Sequence, residues 1–370
     1  MQGRYHRQLI LKGFGPETQQ RLGAARVMVI GAGGLGCPVL QYLAAAGIGH
    51  IGIADHDKVS LSNLHRQVLF GPEDIGSLKV EVAKRRLLAL NPEINISTWP
   101  EAWTQRHCLD HLPSYDIVVD ATDNFATRYL INDACVLLGK PLVFGAVSQY
   151  EGQVSVFNDL RKDGTRSVHY RDLFPMPPQA GEVLNCSEGG VLGVLPGVIG
   201  SMQAMEVIKI ITGIGEPLMD RLLTYDALSQ RFLDFSLTRH PDCALTTPST
   251  TEEYLRVNYD AACGLEGSNP LEMDPEIWKQ NHLSDALVDI REPHEQPRLT
   301  EMCATLGVTL LEIPMSGLAG QAVQFSGQRL TLICQSGKRS LASVKMLEQV
   351  DQTIRARSLK GGVNALFTFK

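Results

Sequence analysis

The segment Arg26–Gly36, RVMVIGAGGLG, decides the fold. Five residues rich in branched apolar side chains read as a buried strand. The glycine-rich run Gly31–Gly36 after them matches G-x-G-x-x-G through Gly31, Gly33 and Gly36. CPVLQYLAAAGI, residues 37–48, continues as a helix that stops at Gly47. A strand, a glycine turn and a helix in that order bring backbone N–H groups toward a phosphate at the helix start. An acid about twenty residues on, Asp55, ends the next apolar stretch, HIGIADHD, where it can bind a ribose hydroxyl. Read alone, this pattern is that of an NAD-dependent oxidoreductase.

Working outward, the same alternation repeats. SLKVEVAKRRLLALNP reads as a helix capped by Ser77 and stopped at Pro92; YDIVVDATDN and KPLVFGAV read as further strands. GVLPGVIGSMQAMEVIKIITGI carries the apolar three-and-four spacing of a helix. The expected fold is α/β, a Rossmann-like, doubly wound, mostly parallel sheet. A Thr-, Pro- and Ser-rich stretch at 238–254 and a loop-like stretch at 264–275 then mark a boundary. It separates a first domain, 1–265, from a smaller α/β domain, 268–370. In the latter DALVDI, VTLLEIP and RLTLICQ read as strands and SLASVKMLEQV as a helix.

Composition excludes several classes. The 370 residues are 44% hydrophobic and 20% charged, with net charge −6 and no basic stripe, so nucleic acid is not expected as a partner. The apolar run GVLGVLPGVIG is broken by glycine and proline and is too short for a bilayer, and the amino terminus has no signal-like core. A cytoplasmic protein without membrane association is expected. None of the eight cysteines forms a CxxC pair, which suits mostly buried thiols in a reducing compartment.

The residues beyond Asp55 are not those of a dehydrogenase. Asn63 and Arg66 come just after the strand, Lys79 begins a helix, and Asp123 and Asn124 follow another strand. Cations beside an acid and an amide at strand carboxyl ends suit a triphosphate with Mg2+.

RYHRQLIL, GAGGLGCP, SNLHRQ, ATDNFATRYLIND and GVLGVLPGVIG, in that order, together resemble the MoeB/ThiF group of adenylyltransferases, relatives of ubiquitin-activating enzymes. The resemblance implies that Gly34, Asp55, Ser62, Asn63, Leu64, His65, Arg66, Lys79, Asp123 and Asn124 bind ATP, with Asp123 holding Mg2+. It implies a homodimer in which Arg7 reaches the other subunit's nucleotide, so that Arg66, Lys79 and Arg7 serve the reaction. The partner it implies is a small ubiquitin-like sulfur carrier ending in Gly-Gly, whose terminal carboxylate attacks the α-phosphate to give an acyl-adenylate and pyrophosphate. It places Cys186 on a loop near the carrier's tail, where acyl transfer and an inert, partly buried thiol both stay open. The group's structural zinc uses two CxxC pairs. Here HYRD puts His169 and Asp172 at the first pair, and CALT keeps Cys243 but ends in Thr246. Structural sites favour four N/S ligands, so zinc is not expected.

ALVDIREPHE, LICQSGKRS and LKGGVNAL resemble a rhodanese domain, which carries sulfur as a cysteine persulfide. Cys334 begins the six-residue loop that ends at Arg339, between a strand ending at Ile333 and a helix beginning near Ser340. Loop amides, the helix start, Lys338 and Arg339 form a setting that lowers a thiol's pKa and favours an anionic persulfide. Asp289, Arg291 and Glu292 read as structural. The combined expectation is an adenylyltransferase/sulfurtransferase. It takes sulfur from a persulfide donor such as a cysteine desulfurase, or from thiosulfate, and makes a carrier thiocarboxylate, with Cys334 carrying the sulfur and Cys186 a candidate for the reduction. The alternatives are an adenylating enzyme whose second domain only docks a partner, and the NAD-dependent oxidoreductase. Which carrier and which pathway are served is left open.

Overall fold

The computed structural model describes residues 3–177, 190–240, 243–263, 271–273, 275, 277–278, 286–351 and 353–367. Cys186 lies outside them. The chain divides into two compact units, Met1–Leu265 and Glu266–Lys370.

Unit 1 holds eight strands: β1 Arg26–Ile30, β2 His50–Ala54, β3 Asn95–Trp99, β4 Ile117–Asp120, β5 Leu142–Ser148, β6 Glu151–Phe157, β7 Arg221–Asp226 and β8 Arg231–Ser236. Their order across the sheet is β3-β2-β1-β4-β5-β6-β7-β8. The strands from β3 to β5 are parallel, and β6, β7 and β8 continue antiparallel. Val27, Met28, Val29 and Ile30 are buried because β1 is covered on both faces, as parallel strands require. Ile30 stands beside Ala54 on one side and Asp120 on the other. The chain therefore leaves β1, β2 and β4 at the same edge. The helices on either side of β1 in the order run off in different directions from that edge, which is where open α/β sheets form a binding crevice.

The helix Gly36–Ala46 ends as the sequence predicts, with Gly47 left-handed at φ 87°. The helix Lys79–Leu90 differs in its start. Ser77 does not cap it; Leu78 precedes the first turn and offers no side-chain bond. Ser77 instead gives its carbonyl to Val59 N at 2.9 Å, which fastens the segment 57–59 alongside 76–79. The helix Val194–Thr212 lies where the apolar spacing of residues 193–214 predicts one. Pro196 lies in its first turn, where a missing N–H costs nothing, so the helix runs unbroken for 19 residues. By length and composition it could cross a membrane. In the structure Leu195, Ile199, Ala204 and Val207 are buried in the unit 1 core, and it packs on the helix Gly36–Ala46 and on β5 and β6.

Unit 2 is a five-stranded parallel sheet ordered β11-β10-β12-β13-β9. The strands are β9 Glu272–Met273, β10 Ala286–Asp289, β11 Leu310–Glu312, β12 Arg329–Ile333 and β13 Arg355–Leu359. Val288, Leu330, Leu332, Val344 and Leu347 form its core. The helix Lys338–Val350 starts two residues before Ser340, because Gly337 takes φ 87° and lets the turn begin at Lys338.

Candidate active site

The glycine turn sits directly between β2 and β4. Gly31 has φ 100°, and a Cβ there would come within 2.5 Å of Ala121 O, so only glycine allows β1 and the segment after β4 to approach this closely. Ala32 N donates to Asp55 Oδ2 at 2.8 Å, and Asp57 N donates to Asp55 Oδ1 at 2.8 Å. Asp55 is thus fixed by two backbone donors beside the turn. Burial raises its pKa, and the Lys79 charge pulls it back down.

Lys79 opens its helix and is 4% exposed. Its ammonium lies 4.0 Å from Asp55 Oδ1 and donates to Asp57 Oδ2 at 2.8 Å. Asp57 is a partner that the sequence reading missed. Nothing in the spacing D-x-D separates the acid that faces ribose from the one that holds a lysine; the backbone bond Lys79 N to Asp57 O, at 3.0 Å, makes the pairing.

The turn Leu61–Asn63 carries the next residues. Ser60 N donates to Asn63 Oδ1 at 3.2 Å, Ser62 Oγ lies 3.0 Å from Ser60 Oγ, and Leu64 is half-buried against the core. Arg66 Nη1 reaches Ser62 O at 3.0 Å and the exposed His65 ring at 2.8 Å. Gly34 is packed between the Arg66 side chain and Pro196, so the helix Val194–Thr212 backs the crevice. Gln67, 3% exposed, lies beside Gly33, and its Oε1 has no partner among the described residues. This buried amide carries no charge and was not singled out from the sequence.

After β4, Asp123 is exposed at the strand's carboxyl end. One hard carboxylate there fits Mg2+, which is held by one or two carboxylates together with substrate phosphates. Asn124 accepts Thr127 N at 2.9 Å and caps the helix Phe125–Leu138, so its side-chain oxygen already has a structural task. Arg7 is exposed on the short helix His6–Leu9. Gly34 thus meets Arg66, Asp55 stands beside the glycine turn and Lys79, and Asn63 and Asp123 follow β2 and β4 at the carboxyl ends of the parallel strands.

His169, Asp172 and Cys243 meet elsewhere in unit 1, all buried, with ligand atoms within 4.8 Å of one another. Cys243 Sγ stands 3.2 Å from His169 Nε2. Both Asp172 oxygens are engaged: Oδ2 accepts His169 N and Oδ1 accepts His240 N, each at 2.9 Å. Thr246 Oγ1 turns back to Cys243 O at 3.2 Å. Burial pushes the Cys243 thiol up to about 11. One thiol, one imidazole and an occupied carboxylate, with no fourth His, Cys, Asp or Glu grouped with them among the described residues, do not fit a closed structural zinc site. They fit a thiol–imidazole hydrogen bond beside a carboxylate that caps a helical turn.

In unit 2, Cys334 has no exposed surface. Ser340 N and Ser340 Oγ lie 3.4 and 3.5 Å from its sulfur. Val363 N donates to Cys334 O at 2.9 Å, which draws the segment Gly361–Gly362 over the loop. The sulfur itself is fully buried in this arrangement. The expected cation Arg339 is engaged: it donates to both oxygens of Glu295, one at 2.8 Å. Arg339 holds the Glu295 carboxyl down at about 2. Arg291 donates to both oxygens of the buried Asp289 and also to Pro297 O and Gln335 Oε1, a structural tie between strand end and loops. Burial pushes the thiols of Cys37 and Cys108 up to about 12 and those of Cys263 and Cys303 up to about 11, and it raises Cys135 as well.

Comparison with known proteins extends this geometry. Residues 5–245 match the ThiF family. The "Sulfur carrier protein adenylyltransferase" of Thermus thermophilus is 53% identical over 262 residues, 71% of this chain and 96% of that protein. The "Probable adenylyltransferase/sulfurtransferase MoeZ" of Mycobacterium tuberculosis is 42% identical over 377 residues, 98% of this chain and 92% of that one. Among solved structures, E. coli MccB with ATP aligns with a TM-score of 0.55 and 26% identity, covering 65% of this chain and 74% of its own. A family match over most of unit 1, and a relative that runs nearly the whole length of both chains, leave one conclusion: this chain belongs to the ThiF family.

Proposed function

We propose that this chain is an adenylyltransferase/sulfurtransferase acting on a small ubiquitin-like sulfur carrier. The observation that carries the reading is the 42% identity across 98% of the chain to a relative whose name states both activities. The crevice supports the first of them. Gly34, Asp55, the run Ser62–Arg66, Lys79, Asp123 and Asn124 take ATP, with Mg2+ at Asp123 and Arg7 supplied to a second subunit. Arg66 and Lys79 offset the phosphate charge while the carrier's terminal carboxylate oxygen attacks the α-phosphorus. The bond to the β-phosphate breaks and pyrophosphate leaves. Two anions must meet and no protein nucleophile is needed, so positioning and charge are what the residues provide.

Cys334 carries the second activity. The outer sulfur of its persulfide attacks the acyl carbon, AMP leaves, and an acyl disulfide remains. Two electrons from a thiol reductant, with Cys186 the candidate residue, then release the carrier thiocarboxylate. A cysteine desulfurase or thiosulfate supplies the next sulfur.

The burial of Cys334 favours a second reading, in which unit 2 only docks a partner. One experiment separates the two. Candidate Gly-Gly carriers are incubated with ATP, Mg2+ and a persulfide donor and weighed by mass spectrometry. The exchange of one oxygen for one sulfur, abolished in Cys334→Ser, supports transfer through Cys334. Thiocarboxylate made at the wild-type rate by Cys334→Ser removes Cys334 from the reaction. Absence of carrier-dependent pyrophosphate exchange into ATP with every carrier would sink adenylation itself.

A further inference from the structure

A buried serine, Ser340, stands beside the Cys334 sulfur, and a second, Ser358, stands behind it. Ser340 lies in the first turn of the helix Lys338–Val350, and Ser358 lies on β13. Neither has exposed surface, so bulk water completes none of their hydrogen bonds. Ser340 Oγ is 3.5 Å from Cys334 Sγ, 3.0 Å from Gly337 O and 2.8 Å from Ser358 Oγ. Ser358 Oγ is itself 3.0 Å from Gly337 O.

Proton counting decides how these contacts coexist. Each hydroxyl has one proton to give. Ser340 cannot donate fully to the sulfur and to Gly337 O at once. Gly337 O already accepts Leu341 N at 3.1 Å, so one lone pair is left for the two hydroxyls; when Ser358 donates to it, the carbonyl is filled and the Ser340 proton is free for the sulfur. When Ser340 donates to Gly337 O, the sulfur keeps the Ser340 N–H at 3.4 Å and the Arg339 side chain, which also faces it, but loses the hydroxyl. A thiolate accepts and cannot donate, and a hydrogen bond to an ion is the stronger kind. The charge on the sulfur therefore selects the first arrangement.

We propose that Ser340 and Ser358 form a hydroxyl pair that follows the charge on Cys334. Ser340 donates to the thiolate, and Ser358 is the positioning residue that frees the Ser340 proton by taking over Gly337 O. The inference rests on Cys334 being the sulfur carrier. The thiolate is the nucleophile on loading. Its sulfur bonds to the outer sulfur of thiosulfate, the S–S bond of thiosulfate breaks, and sulfite leaves with the electron pair. Cys334 is left as the persulfide anion. The thiolate is also the leaving group on unloading: cyanide takes the outer sulfur as thiocyanate, and the Cys334 thiolate returns. No outside oxidant or reductant is required. The pair acts on both half-reactions because both pass through a negative Cys334 Sγ.

The test is thiosulfate-to-cyanide sulfur transfer by the full chain across pH, with Cys334→Ser as the blank and thermal melts to confirm folding. Ser340→Ala and Ser358→Ala are each expected to slow transfer at neutral pH roughly three- to tenfold, the worth of one hydrogen bond, and to move the rising limb of the pH profile upward. In the Ser340→Ala background, Ser358→Ala is expected to add nothing, because it acts through Ser340. Ser358→Thr keeps the hydroxyl and should keep the wild-type limb. An unmoved limb in Ser340→Ala overturns the proposal, and so does an equal loss from Ser358→Ala in both backgrounds. Should Ser358→Ala fail to fold, Ser340→Ala and Ser358→Thr decide alone. A wild-type chain without Cys334-dependent transfer would instead refute the sulfur-carrier reading, so the two failures are distinguishable.

Discussion

Lys79 donates to Asp57 at 2.8 Å, while Asp55, the acid that the glycine turn anticipates, stands 4.0 Å from the same ammonium. A buried ammonium at a helix start is doubly disfavoured, by desolvation and by the positive end of the helix dipole. Asp57 is its closest counter-ion. Asp57→Asn should therefore disturb the placement of Lys79 more than the binding of nucleotide. We expect carrier-dependent pyrophosphate exchange to fall about tenfold while affinity for a non-hydrolysable ATP analogue stays within about threefold. The half-exposed Asp57 keeps the stability loss near 1 kcal/mol. Calorimetric titration and exchange kinetics, with Asp57→Glu as the partial rescue, check both.

The pair Glu295–Arg339 sets an acid dependence for unit 2. Arg339 holds the Glu295 carboxyl at about 2, below its ordinary value near 4.3. A carboxyl lowered on folding contributes stability that is fully present above the unfolded value and is lost as pH falls through the folded one. Unit 2 should thus weaken between about pH 4.3 and pH 2, and Glu295→Gln should flatten that part of the stability curve. Acid titration followed by circular dichroism, mutant against wild type, is the measurement.

Gly362 stands against the Cys334 loop with φ 60°, where a Cβ would come within 2.2 Å of Cys334 O and 2.6 Å of Gly337 N. Neither atom belongs to a side chain that can swing away. Gly362→Ala should cost about 2 kcal/mol through strain and backbone displacement. Sulfur transfer should drop at least about tenfold, because the loop that presents Cys334 must shift. ATP–pyrophosphate exchange, carried by unit 1, should hold. Parallel assays of the two half-activities would expose a mistake if both fell together.

The cluster His169–Asp172–Cys243 should stay folded without zinc. Its carboxylate already takes two backbone N–H groups and its thiol faces the imidazole. Purified protein is expected to carry below about 0.1 zinc per chain, and a strong chelator should leave the melting temperature unchanged. Elemental analysis that finds one zinc per chain would contradict the assignment.

The crevice was legible in the sequence to the extent that its residues are fixed by local chemistry. A left-handed turn before a helix demands the glycine at Gly31, and an acid at the end of the neighbouring strand falls beside that turn, so Asp55 follows from strand spacing. The tasks of Asn63 and Asn124 were not separable in the same way. An amide that caps a turn and an amide that meets a ligand look alike until the donor is known, and here Ser60 N and Thr127 N are those donors. Ser77 was misread for the same reason: a serine before a helix usually caps it, but here its carbonyl is drawn to Val59.

By itself, the sequence determined the two-part α/β plan, the glycine turn and the cysteine loop between strand and helix. These depend on apolar periodicity and on residues near one another in the chain. Only the tertiary structure decided which charges pair. It gave Lys79 to Asp57, 22 residues away, gave Arg339 to Glu295, 44 residues away, and set Ser358, 18 residues from Ser340, beside the Cys334 loop. Hydrogen bonds and ion pairs are short-ranged and directional, so their partners are fixed by how strands and helices pack, and no spacing in the chain encodes them.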